Sequence, residues 1–323
     1  MIAPEGTFLL FRCRLLSPFH TTRQEYAGLW KCAPFVLGST LRGALLSHLV
    51  TTHYDDAAIQ AGTYQTEGIV APFFASPPRI YFSFGHFLDE VGRGLEAHTR
   101  IAIEREHGSV AEGALLSVEA VSAGTEFTFE VLLSYDDGAL ARLVEEGVRR
   151  MAGTTGLGGL RSIGLGQFAV EEVASRPLAD HVADLRAHLP LHLDEGPVRL
   201  TFTTPYVLAD GQSPWDGDPT ALARRLEREL AEAVRLAGGD EVNPPTIERV
   251  DAALRPDFVG RWSYERGCRE NRLVAWPGSR LTLHLSEPGD LETTLALAQT
   301  FGLGGWNEWG FGRFKVTVQG ASP

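Results

Sequence analysis

Gly156-Leu157-Gly158-Gly159-Leu160-Arg161-Ser162-Ile163-Gly164-Leu165-Gly166-Gln167-Phe168 and Gly302-Leu303-Gly304-Gly305-Trp306-Asn307-Glu308-Trp309-Gly310-Phe311-Gly312-Arg313-Phe314 are two copies of one pattern. All five glycines of one copy have counterparts in the other, as do the leucine after the first glycine and the closing phenylalanine. Each copy follows a helix-like stretch (139–151 and 290–300) and precedes a strand-like one (167–173 and 313–318). The repeat divides the chain into two related halves, each ending in the same backbone device.

Glycine lets a chain take positive φ and brings backbone N–H groups close to another surface. Successive exposed N–H groups form a concavity for anions, phosphate above all. A dinucleotide-binding loop is excluded, because that motif runs strand, glycines, helix with G-x-G-x-x-G spacing, and here Arg161 and Asn307 hold the third glycine's place. A P-loop is excluded because no Gly-Lys-Ser/Thr follows. Two readings stay open: a phosphate cradle, or a pair of tight turns that pack helix against sheet.

The 323 residues suit about two domains, and each half is long enough to bury its own core. A hydrophobic fraction of 44% is ordinary for a globular protein, and no apolar run approaches the ~20 residues that span a bilayer. Met1–Gly6 lacks the basic and apolar regions of a signal peptide. Cys13, Cys32 and Cys268 are scattered, without Cys-x-x-Cys or a His pair at metal spacing. They read as reduced, buried side chains of a cytoplasmic protein with no structural metal and no cofactor. The net charge of −12 argues against non-specific nucleic-acid binding, although a local basic groove can exist on an acidic chain.

Along the first half, Thr7–Leu16 reads as a strand ended by Ser17-Pro18. Gly38-Ser39-Thr40-Leu41-Arg42-Gly43 opens a helix that Ser39 or Thr40 can cap. Glycine, hydroxyl and Arg42 together also form a plausible phosphate seat. Residues 51–98 lose periodicity and read as an insertion. Arg100 and Arg105 lie on an extended hairpin, whose meaning is either a solvated charged surface or a contact for an RNA strand. Strand character resumes at 114–121 and 125–133. A charged, proline-bearing linker, residues 176–197, separates a domain over 1–175 from one over 198–323. The second half restarts with a strand (198–203), an amphipathic helix (219–236) and further strands. Each half thus reads as strand, helix, strands, helix, Gly-loop, strand. The fold class is α+β, two tandem ferredoxin-like (RRM-like) domains, whose sheet face is the platform of RNA-recognition modules.

Duplicated ferredoxin-like halves that end in helix–Gly-loop–strand resemble the RAMP superfamily of CRISPR-associated proteins. Gly38-Ser39-Thr40-Leu41-Arg42-Gly43-Ala44-Leu45 looks like an element of that superfamily. Thr99–Arg105 with Ala111–Leu115 is similar to a segment of type III effector subunits. Gly260-Arg261-Trp262-Ser263, Pro277-Gly278-Ser279 and the second Gly-loop look most like the type III-D subunit of the Cas-five group, Csx-ten type. The resemblance implies a non-catalytic subunit that holds the repeat-derived 5′ handle of the CRISPR RNA. It also implies partners, namely the large polymerase-like subunit and the first backbone RAMP subunit.

Candidate RNA contacts are then Gly38, Ser39 and Arg42; Arg100 and Arg105; Gly158, Gly159, Arg161 and Ser162; and Gly304, Gly305, Trp306 and Arg313. The arginines would pair bidentately with phosphates. Trp306 and Trp309 could stack on bases or anchor the loop. The first loop is the better RNA contact, because Asn307 and Glu308 replace Arg161 and Ser162 in the second and a carboxylate repels phosphate. Two alternatives stand beside this reading. One is a metal-independent endoribonuclease that processes precursor CRISPR RNA with His20 as general acid–base. The other is a scaffold whose loops meet neighbouring subunits only.

Overall fold

The computed structural model describes residues 4–26, 29–88, 95–103, 110–135, 138–190, 193, 196–207, 219–239, 241–263 and 268–318. For 24–26, 98–103, 110–116, 219, 261–263 and 268–270 it describes the backbone alone. In the first half the order is β1 (Gly6–Leu15), β2 (Thr22–Tyr26), β3 (Leu29–Cys32), β4 (Phe35–Val36), α1 (Gly38–His53), α2 (Asp56–Ala61), β5 (Ile80–Phe82), β6 (Gly85–Phe87), β7 (Leu95–Ile103), β8 (Val110–Val121), β9 (Glu126–Ser134), α3 (Ala139–Ala152), β10 (Phe168–Pro177) and α4 (Leu178–Ala187). The second half adds β11 (Val198–Phe202), β12 (Tyr206–Val207), α5 (Pro219–Leu236), β13 (Thr246–Ala253), β14 (Pro256–Ser263), β15 (Cys268–Ala275), β16 (Arg280–Glu287), α6 (Leu291–Phe301) and β17 (Phe314–Val318).

The main sheet of the first half runs β10-β1-β9-β6-β4, with β5 also paired to β9, and its pairings are antiparallel. The second runs β13-β16-β11-β17, again antiparallel. In each, the half's last strand lies beside its first, and the first beside the strand that precedes the helix before the Gly-loop, β9 before α3 and β16 before α6. That is the split βαβ order, so the α+β ferredoxin-like fold is present in both halves. Two smaller sheets, β2-β3-β8-β7 and β12-β15-β14, stand beside them.

Period-two alternation produces the cores. On β1, Leu9, Phe11, Cys13 and Leu15 face α1 and α3, and on β9 Phe127, Phe129, Val131 and Leu133 do the same. Helix α3 meets them with Ala141, Val144, Val148 and Met151, one helical stripe. Burial pushes the Cys13 thiol up to about 12 and the Cys32 thiol up to about 11, so both are unreactive. In the second half Leu226 and Leu230 of α5 and Leu295 of α6 cover Leu200, Leu281 and Leu283.

Two expectations are corrected here. Residues 80–87, read as part of an insertion, supply β5 and β6, which pair with β9 in the main sheet. The flanking prolines hid two strands that are too short to show alternation. The 176–197 segment, read as a linker, carries α4, which lies across the outer face of the first sheet. Leu178 and Val182 of α4 pack with Phe8, Tyr81 and Leu132 of the sheet and with Ala296, Leu297 and Phe301 of α6. The His181 ring stacks on Phe8 at 3.9 Å. The sheet face expected as an RNA platform is therefore closed in the first half. Helix α6 is apolar on two sides because it serves two cores, its own sheet's through Leu291, Leu295 and Ala298 and the shared one through Ala296, Leu297 and Phe301.

Candidate nucleic-acid interface: the twin glycine loops

The two Gly-loops are one structure made twice. The Leu157 N–H donates to the Gly166 carbonyl at 2.7 Å, and the Leu303 N–H to the Gly312 carbonyl at 3.1 Å. Gly159 donates to the His20 carbonyl at 2.8 Å, and Gly305 to the Val207 carbonyl at 2.9 Å. Gly166 donates to the Pro18 carbonyl at 2.8 Å, and Gly312 to the Pro205 carbonyl at 2.9 Å. Leu160 and Trp306 take left-handed φ of 60° and 62°, and each is followed by a 3-10 turn. Finally, the Gln167 N–H donates to Ser17 Oγ at 2.9 Å, and the Arg313 N–H to Thr204 Oγ1 at 2.9 Å.

The loops thus rest on a second repeated element, Ser17-Pro18-Phe19-His20 and Thr204-Pro205-Tyr206-Val207. Glycine is required where they touch. A Cβ on Gly158 would come 2.3 Å from the His20 carbonyl oxygen, and one on Gly304 2.3 Å from that of Val207, both at φ near +78°.

Their surroundings differ. The second loop is seated on the first half. A Cβ on Gly38 would lie 2.2 Å from the Trp309 carbonyl oxygen, and one on Gly310 2.6 Å from the Phe84 nitrogen. Trp306, Trp309 and Phe311 pack with Phe35, Leu37 and Phe84, and Arg272 lies over the Trp306 ring at 5.6 Å. The first loop is open. Gly159, Arg161, Ser162 and Gly164 are exposed, and Ile163, the counterpart of Trp309, is 47% exposed. The N–H groups of Leu160, Arg161 and Ser162 and the side chains of Arg161 and Ser162 meet no partner among the described residues. That tip offers amide, hydroxyl and guanidinium donors together, the donor set that binds phosphate oxygens.

The other predicted residues separate from this tip. The α1 N-terminus expected as a phosphate seat is occupied, because Gly38 is buried beneath Trp309 and Arg42 donates to the Phe73 carbonyl at 2.5 Å. Leu37 holds the cap position of α1 with no side-chain cap bond, so neither Ser39 nor Thr40 caps it. Gly304, Gly305 and Trp306 are half-buried at the same junction. Arg313 points inward. Its Nη1 donates to the Gln299 carbonyl at 2.6 Å, while Nε and Nη2 are buried without a partner among the described residues. Burial lowers the Arg313 pKa, against the field of Glu130. The side chain of Arg100, and Arg105 altogether, lie outside the described residues.

His20 is 1% exposed, with Nδ1 2.7 Å from the Glu119 carbonyl and Nε2 2.9 Å from Thr22 Oγ1. A carbonyl only accepts, so Nδ1 carries the proton and Nε2 accepts from the threonine. Burial lowers the His20 pKa. Both nitrogens are engaged, and the ring holds the floor of the first loop. Among the described residues no three His, Cys, Asp or Glu side chains gather as a metal site, and no helix is long and apolar enough to cross a membrane.

The fold and the twin loops define a class, a duplicated ferredoxin-like chain with a glycine loop at the end of each half. Residues 12–169, from β1 through the first Gly-loop to the start of β10, match the family model of the RAMP superfamily. Among solved structures, a chain in the cryo-EM structure of the Type III-B Cmr-beta bound to cognate target RNA is similar at 11% identity and a TM-score of 0.41. The likeness covers 54% of this chain and 61% of that one, so this chain spans less than two thirds of that chain's length. No curated protein matches the sequence.

Proposed function

We propose that the whole chain is a RAMP-superfamily protein, with domains over 1–175 and 198–323 joined by 176–197, the segment whose helix α4 packs on the first sheet. It acts in the cytoplasm as a non-catalytic, RNA-binding subunit of a type III CRISPR effector. It holds the repeat-derived 5′ handle of the CRISPR RNA and docks the large polymerase-like subunit and the first backbone RAMP subunit. The family match over the first half supports the class. The observation that carries the RNA role is the open first loop, where Arg161 and Ser162 are exposed and three adjacent amides meet no partner among the described residues. The twin loop, carrying Glu308 at the place of Ser162, is turned instead toward protein.

A tagged pull-down from the native host, with sequencing of the RNA and identification of the proteins, tests the proposal. Short RNAs that share one repeat-derived 5′ end, together with a large polymerase-like subunit, are the expected result. An intact complex free of RNA would overturn the RNA role.

A further inference from the structure

The outer faces of the two main sheets have opposite fates. In the first half that face is closed by α4 and α6, and Arg12 on β1 is neutralised by Glu126 at 2.7 Å. In the second half the apolar side, with Leu200, Leu281, Leu283 and Val316, faces α5 and α6. The opposite side carries Arg199 and Thr201 of β11, Arg280 and Thr282 of β16, and Lys315 and Thr317 of β17. Register places Thr201 opposite both Arg280 and Lys315, and Arg199 opposite both Thr282 and Thr317. Arg199 is therefore diagonal to each of the other two cations, at roughly 7–8 Å. Arg280 and Lys315, one strand apart on either side of β11, stand roughly 10 Å apart. Three cations form a triangle with a threonine hydroxyl beside each.

The charge of this face runs against that of the chain, which is −12. Several exposed arginines elsewhere have carboxylate partners: Arg149 with Glu145 at 3.0 Å, Arg186 with Glu292 at 3.2 Å, Arg235 with Glu232 at 2.5 Å. Arg199, Arg280 and Lys315 have no ion pair among the described residues. The acid on the neighbouring edge strand, Asp251, is held by Arg249 at 3.3 Å and His284 at 2.8 Å. The six positions of these rows carry no aromatic ring, and His284, next along β16, is held by Asp251. We infer that the cationic face of the second sheet binds the phosphate backbone of a single-stranded nucleic acid, independently of sequence, as a contact separate from the first Gly-loop. This rests on the RNA-binding reading above and deepens it, naming the sheet face and the three cations on it that take the phosphates.

The test uses the full chain and two fluorescein-labelled oligonucleotides of equal length, oligouridylate and oligocytidylate. The variant is R199T/R280T/K315T, which adds the residue already present on the face and keeps β-propensity. For single strands, log K falls with log salt by about 0.7 per phosphate contact, so losing three contacts flattens the slope by about 2. That flattening, equal for both sequences and with the unfolding transition unchanged, is the expected result. Wild-type binding with an unaltered slope in the triple variant would overturn the inference while leaving the loop's RNA role intact. A loss confined to one sequence would make the face a base reader and overturn it too. If the wild-type chain bound neither oligonucleotide, the inference would fall, and the RNA content of the pulled-down complex would decide the RNA role separately.

Discussion

Gly164 and Gly310 occupy the same place in the two loops, at φ of 87° and 84°, and replacing each by alanine separates backbone preference from contact. A non-glycine residue in the left-handed region costs about 1–2 kcal/mol, and both variants incur that. Around Gly164 a new Cβ meets nothing within 4 Å. Around Gly310 it lies 2.6 Å from the Phe84 nitrogen and 2.7 Å from the Phe82 carbonyl oxygen. These are backbone atoms of the opposite half and cannot rotate away, so the junction must open or the strand must shift. Overpacking of this kind adds about 1–3 kcal/mol. Gly310→Ala is therefore expected to destabilise the protein by about 1–3 kcal/mol more than Gly164→Ala. The assay is chemical denaturation of the full chain followed by tryptophan fluorescence, since Trp306 and Trp309 sit at the junction. Equal losses for the two variants would refute the claim that one loop is seated on protein and the other open.

Two more predictions concern buried charge. Tyr206 Oη donates to Glu229 Oε2 at 2.8 Å, and Arg225 Nε donates to Glu229 Oε1 at 2.8 Å, in a site where burial raises the carboxyl pKa. Glu229→Gln leaves Arg225 without its counter-ion and should cost about 3–5 kcal/mol, read from denaturation midpoints; a loss near zero would show that the site is wet. The His181 pKa is lowered to about 3 by burial, then by Arg313 and Arg176. The folded state therefore binds fewer protons than the unfolded one between the ordinary histidine value and about 3. Stability contributed by neutral His181 is present above that window and is lost as pH falls through it. His181→Phe, which keeps the stack on Phe8, should flatten the acid limb of a stability–pH curve, and an unchanged limb would contradict the assignment.

What the sequence revealed and what it withheld follows from distance along the chain. The loops were legible because positive φ and close backbone approach demand glycine, and that demand repeats at Gly158 and Gly304. Their supports carry the same repeat in the sequence. Ser17-Pro18 and Thr204-Pro205 stand at matching places and supply matching acceptors. The role of Gly38 was not legible. Locally it opens a helix with free amides, and the loop that covers it comes at Trp309, at the other end of the sequence. Helix α4 was hidden for the same reason. Its buried apolar residues Leu178 and Val182 look slight among charges, and their partners lie on β1, β5, β9 and α6. Composition allowed a local basic face on an acidic chain but not its place, which alternation sets on the second sheet by sorting Arg199, Arg280 and Lys315 onto one side.

The seating of the last loop on the first helix also sets a timetable for synthesis. Ala33, Phe35, Leu37 and Phe84 are made early, yet Val207, Val259, Val274 and Phe311, which close over them, come from the second half. Until β12, β14, β15 and the second glycine loop have been made, the nascent first half presents an uncovered apolar seat, the kind of surface that recruits chaperones or aggregates. A chain cut short before Phe311 would leave Phe84 without the ring that meets it edge-on at 4.9 Å, so the seat is closed in full only once the second glycine loop has been made.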